Sequence, residues 1–434
     1  MKRLVLLLFL FCTIAWAHTF HGAAMAPNTL KGWVVASDTW GYVLHTPDGG
    51  LTWINQSFST WRHFYDVFFL NEQKGWIGTD QGYVFYSLNG GQNWYPQGQG
   101  IAYFAYRILF INDSCGWAAC SDAVIGRTVC GNDTTHNWQT WQQIVLPDPP
   151  FTYDMVAFNG VTSFDSLTCW LCGGKYPEYY PWPPETLYTK GQGYIVKLTN
   201  GGQNWQLLLR DTIYDFFDIK FHDTLNGFIV GGNDRTMSAN VMRTFNGGNT
   251  WQNVIIPSQA KYLRSVKFVG NHAWAVGHSG TIIHSNNSGN SWQIQTSNVN
   301  TTLYDVDFAD TLHGLIAGDS YVLYTYNSGN TWNIANVGIE EESPMLNAIH
   351  PMLEVYPNPA KRLTAIRFSL PAESKVSLQL YDISGRLVKT LVNESKKSGI
   401  YNVPLNTEML SAGVYFLSLE TKEKRIIERV VVVK

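Results

Sequence analysis

Chemistry in this chain would have to come from a small set of charged residues placed among many apolar ones. Asp66, Arg107, Asp218 and Asp305 stand at equivalent positions of a repeated segment, with Asp154 near that position in another copy. Carboxylates that converge could supply the acid and base of glycoside hydrolysis, which needs two of them about 5–10 Å apart. They could equally hold a ligand together with flat rings. The insert at residues 175–185 carries Tyr179, Tyr180 and Trp182 on a proline-stiffened stretch, and such rings bind at low ordering cost. Rings beside carboxylates suit a sugar or an extended peptide. Tyr65, Tyr106 and Tyr304 share parity with core Val, Ile and Phe residues and are assigned to packing.

Other chemistries are poorly supplied. Cys169-Trp170-Leu171-Cys172 has the spacing of a redox or zinc pair, but it lacks a second ligand pair and falls inside a predicted strand. Five cysteines follow residue 17: Cys115, Cys120, Cys130, Cys169 and Cys172. An odd number excludes a complete disulfide framework, and antiparallel strand pairing predicts one bridge, Cys115–Cys130. His18 would be an N-terminal copper ligand only on a different fold and is read as marking a cleavage point. No Gly-x-Ser-x-Gly, His-Glu-x-x-His or phosphate loop occurs, so neither metal nor cofactor is expected.

The elements that position these residues begin with the chain's start. Lys2 and Arg3 precede an apolar run from Leu4 to Ile14, and Ala15-Trp16-Ala17 supplies small residues for cleavage. That order predicts a secretory signal peptide over residues 1–17. The run is shorter than the roughly 20 residues a membrane span needs, and no later segment is apolar enough to cross. Charged residues make up only 15% of the chain, against 17 Trp, 23 Tyr and 38 Gly. Few charges with many rings and glycines favour strands and tight turns. Residues 18–350 hold 15 Lys+Arg and 25 Asp+Glu, a net of −10, whereas residues 351–434 hold 13 and 8, a net of +5. The shift predicts two units, and the acidic one is unsuited to nucleic acid.

A repeat organises residues 18–338. Thr46-Pro47-Asp48-Gly49-Gly50-Leu51-Thr52-Trp53 recurs around Asn89 and Trp94, Asn200 and Trp205, Asn246 and Trp251, Asn287 and Trp292, and Asn327 and Trp332. A degenerate copy is placed at Trp138. The steps between these tryptophans are 41, 44, 67, 46, 41 and 40 residues, so one unit carries an insertion. Each box is preceded by three short apolar runs, such as Asp66-Val67-Phe68-Phe69, Gly75-Trp76-Ile77-Gly78 and Tyr83-Val84-Phe85. Four strands in 40–46 residues are a propeller blade. With a weak first strand near residues 22–26, seven blades result. Asn or Asp followed by Gly serves the turn, and the Trp fills the space between elements.

The box resembles the Asp-box (BNR) repeat of sialidases, and the longer strand pattern is similar to the photosystem II assembly-factor propellers. The resemblance implies a fold and is nearly silent on activity. A sialidase would need clustered arginines. The seven between residues 18 and 350, namely Arg62, Arg107, Arg127, Arg210, Arg235, Arg243 and Arg264, are scattered.

After a linker over residues 339–352, alternating apolar residues predict about seven strands in residues 353–434, a small immunoglobulin-like β-sandwich. Tyr356-Pro357-Asn358-Pro359, the turn with Asp382, Gly385 and Arg386, Gly413-Val414-Tyr415 and the valine-rich end at Lys434 resemble the type A sorting domain of the type IX secretion system. The resemblance implies passage across the outer membrane with the secretion machinery as partner, and display at the surface by way of the periplasm.

Taken together, the sequence predicts an all-β protein, a seven-bladed β-propeller followed by a sandwich, acting as an exported non-catalytic binding module for an extracellular glycan or protein. The alternatives are a sialidase-like glycoside hydrolase and an assembly factor acting on an envelope complex. The outward-directing tail argues against the last.

Overall fold

The computed structural model describes residues 18–433 except 38–40, 59, 61, 99–100, 103, 130–140, 147–155, 176–192, 234, 338–352, 357–359, 361–362, 371–372, 398, 408 and 423–424. The chain divides into two compact units, residues 1–338 and 339–434. The first holds seven antiparallel four-stranded sheets, in each of which every strand pairs with the next in sequence. The first strands of the blades are Thr19–Met25, Phe64–Phe69, Ala105–Phe110, Val156–Ser163, Asp215–Phe221, Leu263–Val269 and Leu303–Phe308. Each packs against the first strand of the next blade, and the seventh against the first, so these strands surround the axis of a seven-bladed propeller.

The box turns work through a hydroxyl two residues before the Asn or Asp. Thr325 Oγ1 accepts the Gly329 N–H at 2.9 Å, and Asn327 Oδ1 accepts the Thr331 N–H at 2.9 Å. Thr46 with Asp48, Ser87 with Asn89, Thr244 with Asn246 and Ser285 with Asn287 repeat the pattern. Asn200 departs from it. Leu198 stands where the other blades have Ser or Thr, so the hydroxyl of the motif is missing, and Asn200 adopts a left-handed φ of 54°.

Blades are joined by aromatic stacking. The second-strand ring Trp33 stacks on Phe69 of the next blade at 3.4 Å between centroids, as do Trp76 on Phe110, Trp170 on Phe221 and Trp274 on Phe308. The indole N–H groups of Trp33, Trp170 and Trp274 donate to carbonyls in the next blade's box, at Gly90, Gly247 and Ser328. Box tryptophans Trp94, Trp251 and Trp332 meet the same phenylalanines edge-on. In blade three it is Trp141 that meets Phe110 edge-on, at 5.8 Å and 86°, and pairs with Thr128. The box position there is Trp141. Trp138, read from sequence as the degenerate copy, lies outside the described residues.

Of the predicted bridge, Cys115 carries a buried free thiol, and Cys130 lies outside the described residues. Cys169 and Cys172 are likewise buried free thiols in a blade-four second strand, and burial raises the pKa of both well above the usual thiol value. A thiol held neutral in this way is a core residue, unsuited to attack or metal ligation.

The second unit is a two-sheet sandwich. Leu353–Tyr356, Leu363–Leu370 and Gly399–Asn406 form one sheet; Leu387–Lys396, Ser374–Asp382, Gly413–Glu420 and Arg425–Val432 form the other. Alternating residues such as Ile366, Phe368, Val376, Leu378, Leu417 and Leu419 are fully buried between them. Asp382 closes its turn by accepting the Ser384 and Arg386 N–H groups and the Arg386 Nε–H, each at 3.0 Å. Tyr356 ends the first strand, Gly413 begins the sixth, and the Tyr415 hydroxyl donates to the Ser411 carbonyl at 3.0 Å. Pro357, Asn358, Pro359 and Lys434 lie outside the described residues.

Candidate binding site at the channel mouth

Every first strand of the propeller carries a bulge: one residue has no opposite number on the second strand. The extra residues are His21, Tyr65, Tyr106, Asn159, Phe217, Arg264 and Tyr304. A bulge breaks the alternation of faces. Two consecutive residues per blade therefore reach the axis, and they form two layers.

The deeper layer gathers the repeated charges. Arg107 Nη1 donates to Asp305 Oδ1 at 2.7 Å and to Asp66 Oδ1 at 3.3 Å. The Ser265 hydroxyl lies 2.6 Å from Asp305 Oδ1 and 3.3 Å from Asp218 Oδ2, and Lys220 Nζ donates to Asp218 Oδ1 at 3.0 Å. The remaining carboxylate oxygens join neighbouring blades. Asp66 Oδ2 accepts the Ile108 N–H at 2.7 Å, Asp218 Oδ2 the Val266 N–H at 3.1 Å, and Asp305 Oδ2 the Ala23 N–H at 3.0 Å. The last of these, with Asp307 Oδ2 receiving the Met25 N–H at 2.7 Å, closes the ring between blades seven and one without a strand exchange. Blades one and four have Gly22 and Gly160 at this position. A Cβ on Gly160 would stand 2.8 Å from the Asp218 Cα, so only glycine admits the neighbouring backbone.

Asp66, Arg107, Asp218 and Asp305 thus come together, and in a different capacity from the open rim expected of them. Asp66, Asp218 and Asp305 are 2%, 0% and 3% exposed, with their oxygens already occupied by protein donors. Asp154, Tyr179, Tyr180 and Trp182 lie outside the described residues. Burial raises the Asp66 pKa to about 7, against the pull of Arg107 and with help from the Asp305 charge. Burial works against the charge on Arg107 too, but Asp305, Asp66 and Asp218 outweigh it and hold the guanidinium protonated.

The Asp66 shift fixes a sign for stability. The folded state holds this proton more tightly than the unfolded chain, whose carboxyl titrates near 3.8. The contribution is complete below that value and is lost as pH rises through about 7. Replacing Asp66 with Asn is expected to remove this decline between pH 4 and 7, seen as a flatter difference in unfolding free energy across urea titrations at several pH values. A profile parallel to that of the parent would contradict the assignment.

The upper layer is the mouth. His21 lies 5.8 Å from Tyr65 and 5.4 Å from Tyr304, and Tyr65 meets Tyr106 at 5.5 Å. Arg264 continues the belt between Tyr304 and Phe217. These tyrosines, assigned from parity to packing, are half-buried and face one another round the axis. Burial, His63 and Arg264 lower His21 to about 4, so it is neutral at pH 7. Sequence reading missed this layer, although an aromatic directly before each repeated charge was its visible signal.

Comparison with known proteins bears on both units. Residues 354–433 match the family model of the secretion system C-terminal sorting domain. The tail is of that kind. It implies type IX export, to the medium or to the outer-membrane surface. Residues 197–298 match the family model of the photosynthesis system II assembly factor YCF48. A stretch of 97 residues is 28% identical to the photosystem II assembly lipoprotein Ycf48 of Synechococcus sp. (strain CC9902), covering 22% of this chain and 28% of that relative's length.

Among solved structures, YCF48 bound to D1 peptide aligns at a TM-score of 0.52 and 17% identity, over 71% of this chain and 93% of that one. YCF48 from Cyanidioschyzon merolae aligns at 0.51 and 17%, over 72% and 97%. The WD40 propeller of Doa1 gives 0.51 at 9% identity, over 71% and 92%. At these identities the likeness is one of fold.

Proposed function

We propose that the propeller is a non-catalytic binding module, exported through the periplasm and displayed outside the cell by its sorting tail, whose ligand-binding surface is the channel mouth. The observation that carries this reading is the commitment of the axial carboxylates. Asp66 titrates where a general acid would, but its oxygens are held by Arg107 and the Ile108 N–H. Asp305 is held by Arg107, Ser265 and the Ala23 N–H. A hydrolase needs one carboxyl group free to give a proton and another free to attack or to activate water. Here the groups act as staples between blades.

The aromatic belt above them is the surface available for recognition. The insert bearing Tyr179, Tyr180 and Trp182 joins the second and third strands of blade four, whose connecting ends open on the side where the first strands begin. We assign these rings, with Asp154, to the same ligand-binding face. The ligand is an extracellular glycan or protein, and an array of both, probed with residues 18–434, is the screen that finds it. For whatever is captured, replacing Trp182 and Tyr180 with Ala together is expected to weaken binding by about 1 kcal/mol or more without loss of folding. Unchanged affinity in the folded double variant would move the site elsewhere.

A further inference from the structure

Four cations stand on the described first strands of the propeller: Arg107, Lys220, Arg264 and Lys267. Arg107 pairs with Asp66 and Asp305, Lys220 with Asp218, and Lys267 with Asp307 at 2.5 Å. Arg264 has no carboxylate partner among the described residues. It is nevertheless held in one orientation. Its Nε–H donates to His278 Nε2 at 3.1 Å, and its guanidinium lies 4.2 Å from the Phe217 ring centroid, with Tyr262 at 5.6 Å and Tyr304 at 5.9 Å. Burial and the neighbouring Arg264 charge lower His278 to about 4, so the imidazole is neutral at pH 7 and can accept this bond. The two Nη amino groups, on a half-buried side chain, have no acceptor among the described residues. A half-buried cation, locked by a stack and a bond and without a counter-ion among the described residues, is prepared for an anion from outside.

We propose that Arg264 is the carboxylate-binding residue of the mouth, and that its ligand is an acidic sugar, a uronate. The sugar's carboxylate would sit on the two amino groups and its pyranose face against Tyr304, the half-buried ring beside them. The proposal rests on the mouth being the binding surface, as argued above. Three features favour a sugar over the carboxylate end of a peptide. A half-buried ring, Tyr304, borders the guanidinium, while the buried Phe217 and Tyr262, edge to face at 5.3 Å, hold it in place. Peptide carboxylates are commonly held by clustered backbone N–H groups. Here the N–H groups of Ala23, Ile108 and Val266 are occupied by the axial aspartates. The cations of the layer beneath, Arg107 and Lys220, are already paired with those aspartates, which suits one anionic unit at the rim rather than a chain threaded inward.

The test is calorimetric titration of residues 18–434 at low salt with tri-galacturonate, neutral galactotriose and a tripeptide bearing a free carboxylate. Tri-galacturonate is expected to bind at least about tenfold more tightly than either of the others. Arg264→Gln should erase that preference while the melting temperature is retained, and Arg264→Lys should keep part of it. His278→Ala should weaken uronate binding because the guanidinium loses its anchor. Equal binding of uronate and neutral sugar by the parent chain overturns the proposal, as does unchanged affinity in folded Arg264→Gln. Tripeptide binding as tight as that of the uronate overturns the choice of sugar. A different ligand captured on the array and lost with mouth variants would leave the binding reading standing while this proposal fell.

Discussion

Replacing Arg107 with Ala is expected to destabilise the propeller by about 3–5 kcal/mol, the cost of leaving buried charges without their partner. The guanidinium bridges Asp66 and Asp305, on the first strands of blades two and seven, across the intervening blade one. Without it Asp305 would lose its ion-pair partner in a site from which water is largely excluded, and Asp66, whose pKa Arg107 holds down, would bind its proton more tightly still. Both also staple backbones together, so the loss reaches the junction of blades seven and one through Asp305 and Ala23. The check is the denaturation midpoint of the full chain at pH 7. Adding Asp66→Asn and Asp305→Asn to Arg107→Ala should recover part of the loss, because neutral amides need no ion-pair partner. A single variant within about 1 kcal/mol of the parent would mean the ring is not what joins the blades.

Deleting residues 353–434 is expected to abolish surface display and leave the propeller in the periplasm. The second unit buries its own core between two sheets, and its match to the sorting-domain family extends over residues 354–433. The propeller unit has its own sheets and its own ring closure, so removal of the tail should change destination rather than folding. Fractionation with blotting, together with protease treatment of intact cells, measures this. Undiminished surface signal from the truncated chain would refute the role of the tail.

Much of the architecture was legible because each blade writes its own turn into the sequence. Asn or Asp with a Gly one or two residues on, followed by Trp, marks the third-to-fourth strand connection, and six such copies with one degenerate copy gave the count of seven. Blade three shows where this reading stops. Its box lacks the Gly-Gly pair, Trp138 has about the expected spacing, and the contact with Phe110 and the pairing with Thr128 identify Trp141 as the equivalent ring. At Asn200 the box could be read, but Leu198 in place of the hydroxyl removes the hydrogen bond that the motif serves elsewhere.

The site was half legible. That Asp66, Arg107, Asp218 and Asp305 share one position is a property of the repeat. Whether they face solvent or one another depends on the distance across the axis, which no local pattern contains. Strand parity assigned Tyr65, Tyr106 and Tyr304 to packing, and their ring contacts agree with that, but it could not place them at the channel mouth because it assumes regular alternation and a bulge adds one residue. Arg264 lay hidden among seven scattered arginines, and its lack of a carboxylate became visible only once its neighbours had been paired.

The central claim is that the axial carboxylates hold blades together while the mouth binds without catalysis. It is tested most directly by mass spectrometry of the captured ligand after prolonged incubation with residues 18–434. The ligand should be recovered intact, at the same mass and in the same amount as after incubation with the Asp66→Asn variant. Shortened products from the parent chain, absent with Asp66→Asn in its folded form, would show Asp66 to be a catalytic acid and contradict the account.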